Sequence, residues 1–222
     1  MVAVTLRPGW GTRLPAFAAV VTLVAGLGGC DYFRPGKPEL SKVGSVIVPN
    51  YRQEDSTLAY LARGIEDKGR TNGLSVYIGG FADTTNDGRE FHAFFDAQTV
   101  NRMQQRGVTN FDWDRGREEQ DFYPKFVTLS TVPPEAEYLM TWTKDPQPGE
   151  DDYGSDAALL YREYWVYAIF GGQTQTIAHG FARLYFIKVS SKWVIVRWDD
   201  READNADLAA GEISLGQRRV EP

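Results

Sequence analysis

Two long runs of strand-forming residues, 157–170 and 173–189, are separated only by Gly171-Gly172, and this pair constrains the chain more than any other feature. Glycine at both central positions suits the left-handed backbone of a two-residue hairpin turn, so the runs pair antiparallel in one register. Ser190-Ser191 then turns into a third run, 192–199, and the three make a meander that needs no crossover connection. Upstream, 137–144 reads as a further strand, and 126–132 as one that Pro133-Pro134 stops. A polar loop, 145–156, rich in Pro, Gly and acid, lies between 137–144 and the first long run.

Side chains alternate between the two faces of a strand. In the first long run Ala157, Leu159, Tyr161, Glu163, Trp165, Tyr167 and Ile169 share one face, and Leu160, Arg162, Tyr164, Val166 and Phe170 the other. Both faces carry aromatics, so one is expected to pack on helices while the other is partly exposed. The mixed face, with Tyr161, Glu163, Trp165, Arg183 and Tyr185, is the expected place for a pocket of apolar walls and few polar groups. Tyr77, Trp113 and His179 complete the candidate pocket set. A Glu163–Arg183 cross-strand pair on a solvated face is the competing expectation. Tyr164, Val166 and Phe170, with the strand of Trp198, are the expected exposed patch for a protein partner.

The first third of the domain has helical periodicity instead. Leu58, Leu61, Ala62 and Ile65 fall on one stripe after Asp55 or Ser56 as cap, and Gly69 ends that helix. Asn72 caps a weaker helix over 73–81, the segment 90–96 reads as a short strand, and 99–106 as a helical turn. A helix opened by Asn110 or Asp112 runs to about Lys125, with Phe111, Trp113, Phe122 and Phe126 on its aromatic side. Its Glu118-Glu119 pair, with Arg115 and Arg117, reads as a solvated charged face. Residues 201–222 read as a polar, loosely packed tail.

Charge and cysteine usage restrict partners. The 222 residues carry 24 Lys and Arg against 30 Asp and Glu, a net charge of -6, which gives no electrostatic case for nucleic acid. One cysteine and two histidines, His92 and His179, in separate strands provide no metal-ligand spacing, and no motif calls for a cofactor. The five acids of 145–156 lack the spacing and central glycine of a calcium loop.

Arg7 and Arg13 precede an uncharged, apolar run that ends in Leu27-Gly28-Gly29-Cys30. This resembles the signal peptide and lipobox of bacterial lipoproteins. The resemblance implies that residues 1–29 are removed, that Cys30 carries diacylglycerol, and that the chain is held on the periplasmic or extracellular side of a cell-envelope membrane. Asp31 after the cysteine resembles the enterobacterial signal for inner-membrane retention. Loss of Arg7 and Arg13 from the 24 basic residues, against 30 acidic ones, leaves -8 on the remainder, so the anchor and not a basic patch would hold it there. Residues 30–50, broken by Pro35, Gly36, Pro38, Gly44 and Pro49, read as the lipidated N-terminus and tether, with the domain proper over 51–200.

Helices first, one short strand among them, then long antiparallel strands is an order that resembles the nuclear transport factor two-like cone fold. The residues that carry it are the Leu58 to Ile65 helix with Tyr77 and Phe81, the 113–126 helix with Glu118-Glu119, and the closing 192–199 strand. The resemblance implies an α+β domain, with N-terminal helices packed on a strongly curved, mostly antiparallel sheet and a conical pocket between them. It also implies pairing of two copies through the sheet, a homodimer. A small β-barrel is the alternative, and it would need about eight strands. The functional expectation is non-catalytic binding of a small apolar ligand or an envelope protein. The alternative is a cone-fold enzyme of isomerase or dehydratase type, for which Asp83, Asp96, Tyr77, Tyr161 and His179 qualify by residue type.

Overall fold

A computed structural model of the chain describes residues 51–68, 72–145, 149–203 and 213–221. The expected signal peptide, Cys30 and the tether to residue 50 lie outside them.

Helix α1 (Glu54–Glu66) buries Thr57, Leu58, Leu61, Ala62, Gly64 and Ile65, the stripe that the periodicity marks. Its N-cap is Gln53, two residues ahead of Asp55, which places Glu54 and Asp55 in the first turn where acids suit the helix dipole. Helix α2 (Gly73–Ile78) is shorter than the sequence suggests, because Gly79-Gly80 releases the backbone. A single turn, α3 (Thr84–Asp87), and strand β1 (His92–Phe95) follow. Helix α4 (Ala97–Gln105) is capped by Asp96, whose Oδ1 accepts from Thr99 N–H at 2.6 Å.

The helix expected from residue 110 or 112 begins later. Trp113–Asp114 is a short strand, β2, and Asp114 caps α5 (Arg115–Arg117). A π-helical turn (Glu118–Phe122) leads into α6 (Tyr123–Phe126), with Pro124 in its first turn. Residues 126–132 form turns, not a strand. The 126 end closes α6, and Val132 N–H bonds Leu129 O within a local turn that Pro133 follows.

The remaining strands are β3 (Glu137–Lys144), β4 (Asp152–Tyr153), β5 (Ala157–Phe170), β6 (Gln173–Val189) and β7 (Lys192–Glu202). Gly171 and Gly172 both have positive φ, 56° and 75°, as the two-residue turn requires. The sheet runs β2-β1-β7-β6-β5-β3, with β4 beside β5, and every pairing is antiparallel except β1 with β7. Register shifts at Val166/Tyr167 and at Tyr185/Phe186 each add one residue to a strand, and such bulges bend and twist a sheet. The architecture is therefore α+β with a bent, mostly antiparallel sheet.

One sheet face carries the core. Leu160, Tyr164, Val166, Leu184, Phe186 and Trp198 are buried there against Leu61, Ile65, Tyr77, Phe81, Phe122 and Phe126 of the helical layer. The tail expectation does not hold. Strand β7 extends to Glu202, and residues Leu215–Val220 form helix α7, whose Leu215, Gln217, Arg219 and Val220 are all buried. Its polar residues misled because they are spent on the interior: Ser214 and Gln217 form a reciprocal capping box, and Arg219 reaches the core. No helix among the described residues is long and apolar enough to cross a membrane.

Candidate functional site

Glu118 is the centre of the inner face. It follows Arg117 on the π-helical turn, four residues before Phe122, so it shares the aromatic side of that segment and is fully buried. Three side chains satisfy it: Tyr77 Oη–H donates at 2.5 Å, Trp113 Nε1–H at 2.6 Å, and Arg219 bridges both oxygens from Nε and Nη2 at 2.9–3.2 Å. The Arg219 guanidinium lies 4.3 Å from the Trp198 ring centre and 5.3 Å from that of Phe122. Burial pulls the Arg219 pKa down, and Glu118 more than offsets this and holds it above the usual arginine value. Burial and the Glu118 charge together push the Tyr77 phenol well up, so it acts as a donor.

A second carboxylate lies nearby. Asp200 accepts from Tyr164 Oη–H at 2.7 Å, Trp198 Nε1–H at 3.1 Å and Gly216 N–H at 2.8 Å. Burial raises its pKa, and Arg219 is the largest opposing influence. Glu202 is likewise raised by burial and is held by Thr99 Oγ1–H at 2.9 Å, by Gln217 and by Arg102. The inner face is thus filled with rings and matched acids, and its titratable groups act on one another.

The opposite face is open. A groove of about 600 Å³ is lined by Phe94, Tyr161, Phe181, Arg183, Arg197 and Arg201 among others. Asp199 bridges two of the arginines, with Arg183 Nη2 at 2.6 Å and Arg197 Nε at 2.5 Å, while Arg201 reaches Asp145 at 3.3 Å. The three arginine side chains are 44–46 % exposed. Each also lies on a ring: Arg197 over Phe94 at 4.4 Å, Arg201 over Phe181 at 4.6 Å and Arg183 over Tyr185 at 5.4 Å. Hydrogen bonds to Asp199 hold Arg183 and Arg197 above their usual pKa.

A second space of about 670 Å³ opens between α1 and β3, with Leu58, Ala59, Ala62, Met140 and Trp142 on its apolar side and Asp151 and Arg162 on its polar side. Arg162 is held by Asp151 at 2.8 Å and Asp55 at 3.1 Å.

The candidate pocket residues do not meet in one place. Tyr77 and Trp113 converge on Glu118 inside the domain, while Tyr161, Glu163, Trp165, His179, Arg183 and Tyr185 lie on the other side of the sheet. Within that outer set, Trp165 stacks flat on the His179 imidazole at 3.4 Å, and Glu163 meets His179 Nε2 at 2.9 Å and Trp165 Nε1 at 3.2 Å. Arg183 pairs with Asp199 and not with Glu163. The expected exposed patch is reversed: Tyr164, Val166 and Trp198 are buried, because the even-numbered face of β5 is the one that packs on the helices. Of the catalytic candidates, Asp96 and Tyr161 share the outer groove, and the others lie apart from it. Asp83 and Asp96 cap α3 and α4, and Tyr77 is separated by the sheet from Tyr161 and His179. His92 stands on β1 near Glu90 and Asp112. Among the described residues no three metal-ligating side chains are grouped to hold an ion.

The sequence places Glu118 on a solvated charged face, whereas it is fully buried, and sequence reasoning singles out none of Asp200, Asp199, Arg197, Arg201 and Arg219. For Glu118 a signal existed, since its spacing from Phe122 sets it on the aromatic stripe and apart from Glu119. For Arg219 none did, because its partner is 101 residues away.

No protein-family model matches the sequence, and no curated protein matches it. Among solved structures it is similar to a protein of unknown function from Mycobacterium tuberculosis, at 12 % identity and TM-score 0.45 over 71 % of this chain and 80 % of that one. It is also similar to a nuclear transport factor 2-like superfamily protein from Salmonella enterica serovar Typhimurium, at 12 % identity and TM-score 0.43 over 70 % and 93 %. A nuclear transport factor 2-like protein of unknown function from Shewanella oneidensis gives 14 % identity and TM-score 0.38 over 67 % and 98 %. These likenesses say nothing about activity, and the α+β architecture above rests on the chain's own strand pairing.

Proposed function

We propose that this chain is a lipid-anchored protein of a bacterial cell envelope, with a nuclear transport factor two-like cone domain that binds a neighbouring envelope protein without catalysis. The element order and the bent sheet support the cone reading. The anchor reading is supported by Leu27-Gly28-Gly29-Cys30 at the end of the uncharged run. The observation that carries the binding reading is the outer groove itself, where three half-exposed arginines lie on aromatic rings, whereas the inner-face acids are held by buried partners. Arginine and tyrosine with an apolar floor are the residue types that dominate binding energy at protein interfaces. The groove also holds Asp96, Asp145, Asp199 and Asp200, but Asp96 caps a helix and Asp200 is turned to the interior. Arg183 and Arg197 share Asp199 alone, so an acidic segment whose carboxylates join Asp199 at the guanidinium forks is the favoured occupant.

The test is one experiment in two arms. Full chain carrying Arg183→Ala/Arg197→Ala is compared with wild type for binding a synthetic Glu- and Tyr-containing peptide and its Lys-substituted counterpart. At least about tenfold weaker binding of the acidic peptide by the variant is expected, equivalent to one lost charge contact. Equal binding by both proteins, or equal binding of both peptides, overturns the reading. In cells, radiolabelled palmitate incorporates into wild type and not into Cys30→Ser, and an unlabelled wild type removes the anchor.

A second reading is a small apolar ligand in the cleft between α1 and β3. Its specific support is Trp142 at the cleft wall, whose Nε1 finds no acceptor among the described residues. Saturable quenching of tryptophan fluorescence by a fatty acid, lost in Ala59→Trp, would favour it over the groove. The enzyme alternative has less support: Asp96 and Tyr161 of its candidate set line the outer groove together, but both oxygens of Asp96 already accept backbone N–H groups, from Thr99 and Glu202.

A further inference from the structure

Helix α7 has the character of a bound peptide. It is six residues long, too short to hold itself in water, so its conformation is set by what it touches. Leu215 N–H donates to Tyr164 Oη at 2.8 Å, and Gly216 N–H to Asp200 Oδ2 at 2.8 Å. A Cβ at Gly216 would stand 2.5 Å from that oxygen, so the missing side chain is what lets the backbone reach it. One turn later Arg219 delivers its fork to Glu118 and lays its plane on Trp198.

The receiving groups hold one another without the helix. Tyr77 and Trp113 fix Glu118, while Tyr164 and Trp198 fix Asp200, and none of these six belongs to α7. A carboxylate presented edge-on beside a tryptophan face is the chemistry that recognises a flat, delocalised cation. Stability alone does not call for it, since a buried ion pair is often replaceable by apolar residues at no loss. There is also an approach. The cleft between α1 and β3 has Trp142 at its wall, and that ring lies 5.6 Å from Trp198, the wall of the cation site.

We propose that the interior box around Glu118 is a guanidinium-binding site, occupied by Arg219 of the chain's own C-terminal helix, and that an alkylguanidinium, free or on an arginine-bearing peptide, binds there when α7 is displaced. A covalently attached occupant competes at an effective concentration in the millimolar range, so α7 both holds the site and sets a threshold for any rival.

The test uses the full chain with Arg219→Ala, melted in ethylguanidinium up to about 20 mM, a range chosen to exceed that effective concentration. A saturable rise in Tm of about 5 °C is expected, absent with ethylammonium and absent in Glu118→Gln/Arg219→Ala. No saturable rise, an equal rise with ethylammonium, or an equal rise in the double variant overturns the proposal. Should Arg219→Ala fail to fold, hydrogen exchange of wild type decides it. Amides 214–220 should exchange at least threefold faster with ethylguanidinium or with a peptide spanning residues 213–221, while β6 and β7 stay unchanged. Unchanged exchange with both ligands overturns it, and acceleration by only one tells whether the site takes the small cation or the peptide.

Discussion

The two faces of one sheet use arginine in opposite ways. Inside, Arg219 is fully buried and fixed in one geometry by Glu118 and two rings. Outside, Arg183, Arg197 and Arg201 sit nearly half in water and share two acids among them. The chemistry of the pairs is alike, and the difference is water. A charge stripped of solvent depends wholly on its partner, whereas an exposed one can exchange partners at small cost. The inner pair therefore holds one geometry, and the outer arginines can change partners at small cost.

The sharpest way to break that contrast is Glu118→Gln, which leaves Arg219 buried without a counter-charge. A loss of about 3–5 kcal/mol is expected from urea unfolding, with an unchanged m-value. A loss below about 1 kcal/mol would mean that water reaches the pair and the two faces do not differ as described. Next in size is Tyr164→Phe, which removes the hydroxyl that donates to Asp200 and accepts from Leu215. It should cost about 1–3 kcal/mol in the same measurement. Arg183→Ala, on the outer face, should change stability by no more than about 0.5 kcal/mol, and a larger loss would show that the groove is structural.

The smallest effect concerns pH. Burial raises the Glu66 pKa, with Arg63 opposing. A carboxyl raised in the folded state binds its proton more tightly there, so its contribution is complete below the unfolded value of 4.5 and is lost as pH rises through the folded one. Stability curves of Glu66→Gln and wild type should diverge in the variant's favour as pH rises from about 4.5, and a constant difference would contradict the shift.

The strands were legible because their signals are local. Gly171-Gly172 fixes a turn, alternation fixes the faces, and 137–144, 157–170 and 173–189 appear at those bounds. Which face of β5 turns inward was not legible, since Tyr164 and Trp165 are both apolar enough to be buried and only packing against the helices decides. The segment 126–132 has strand composition, yet it follows a helix end and precedes two prolines, so it never gains a partner strand. The site was the least legible part. Its members, Tyr77, Glu118, Asp200 and Arg219, are brought together only by the completed fold. Its charged neighbours Arg115 and Arg117 place Glu118 on a wet surface, and only the four-residue spacing to Phe122 points the other way.

The Glu118–Arg219 contact has a consequence for how the polypeptide matures. Its members are separated by 101 residues, so a ribosome that has finished the helical layer has released an acid that cannot yet leave solvent. Folding of that layer stays provisional until translation passes Arg219, and pairing over such a separation is slow to find. A synthesis arrest within β6 or β7 would leave a species with ragged sheet edges and an open aromatic interior, the kind of intermediate that chaperones and proteases intercept.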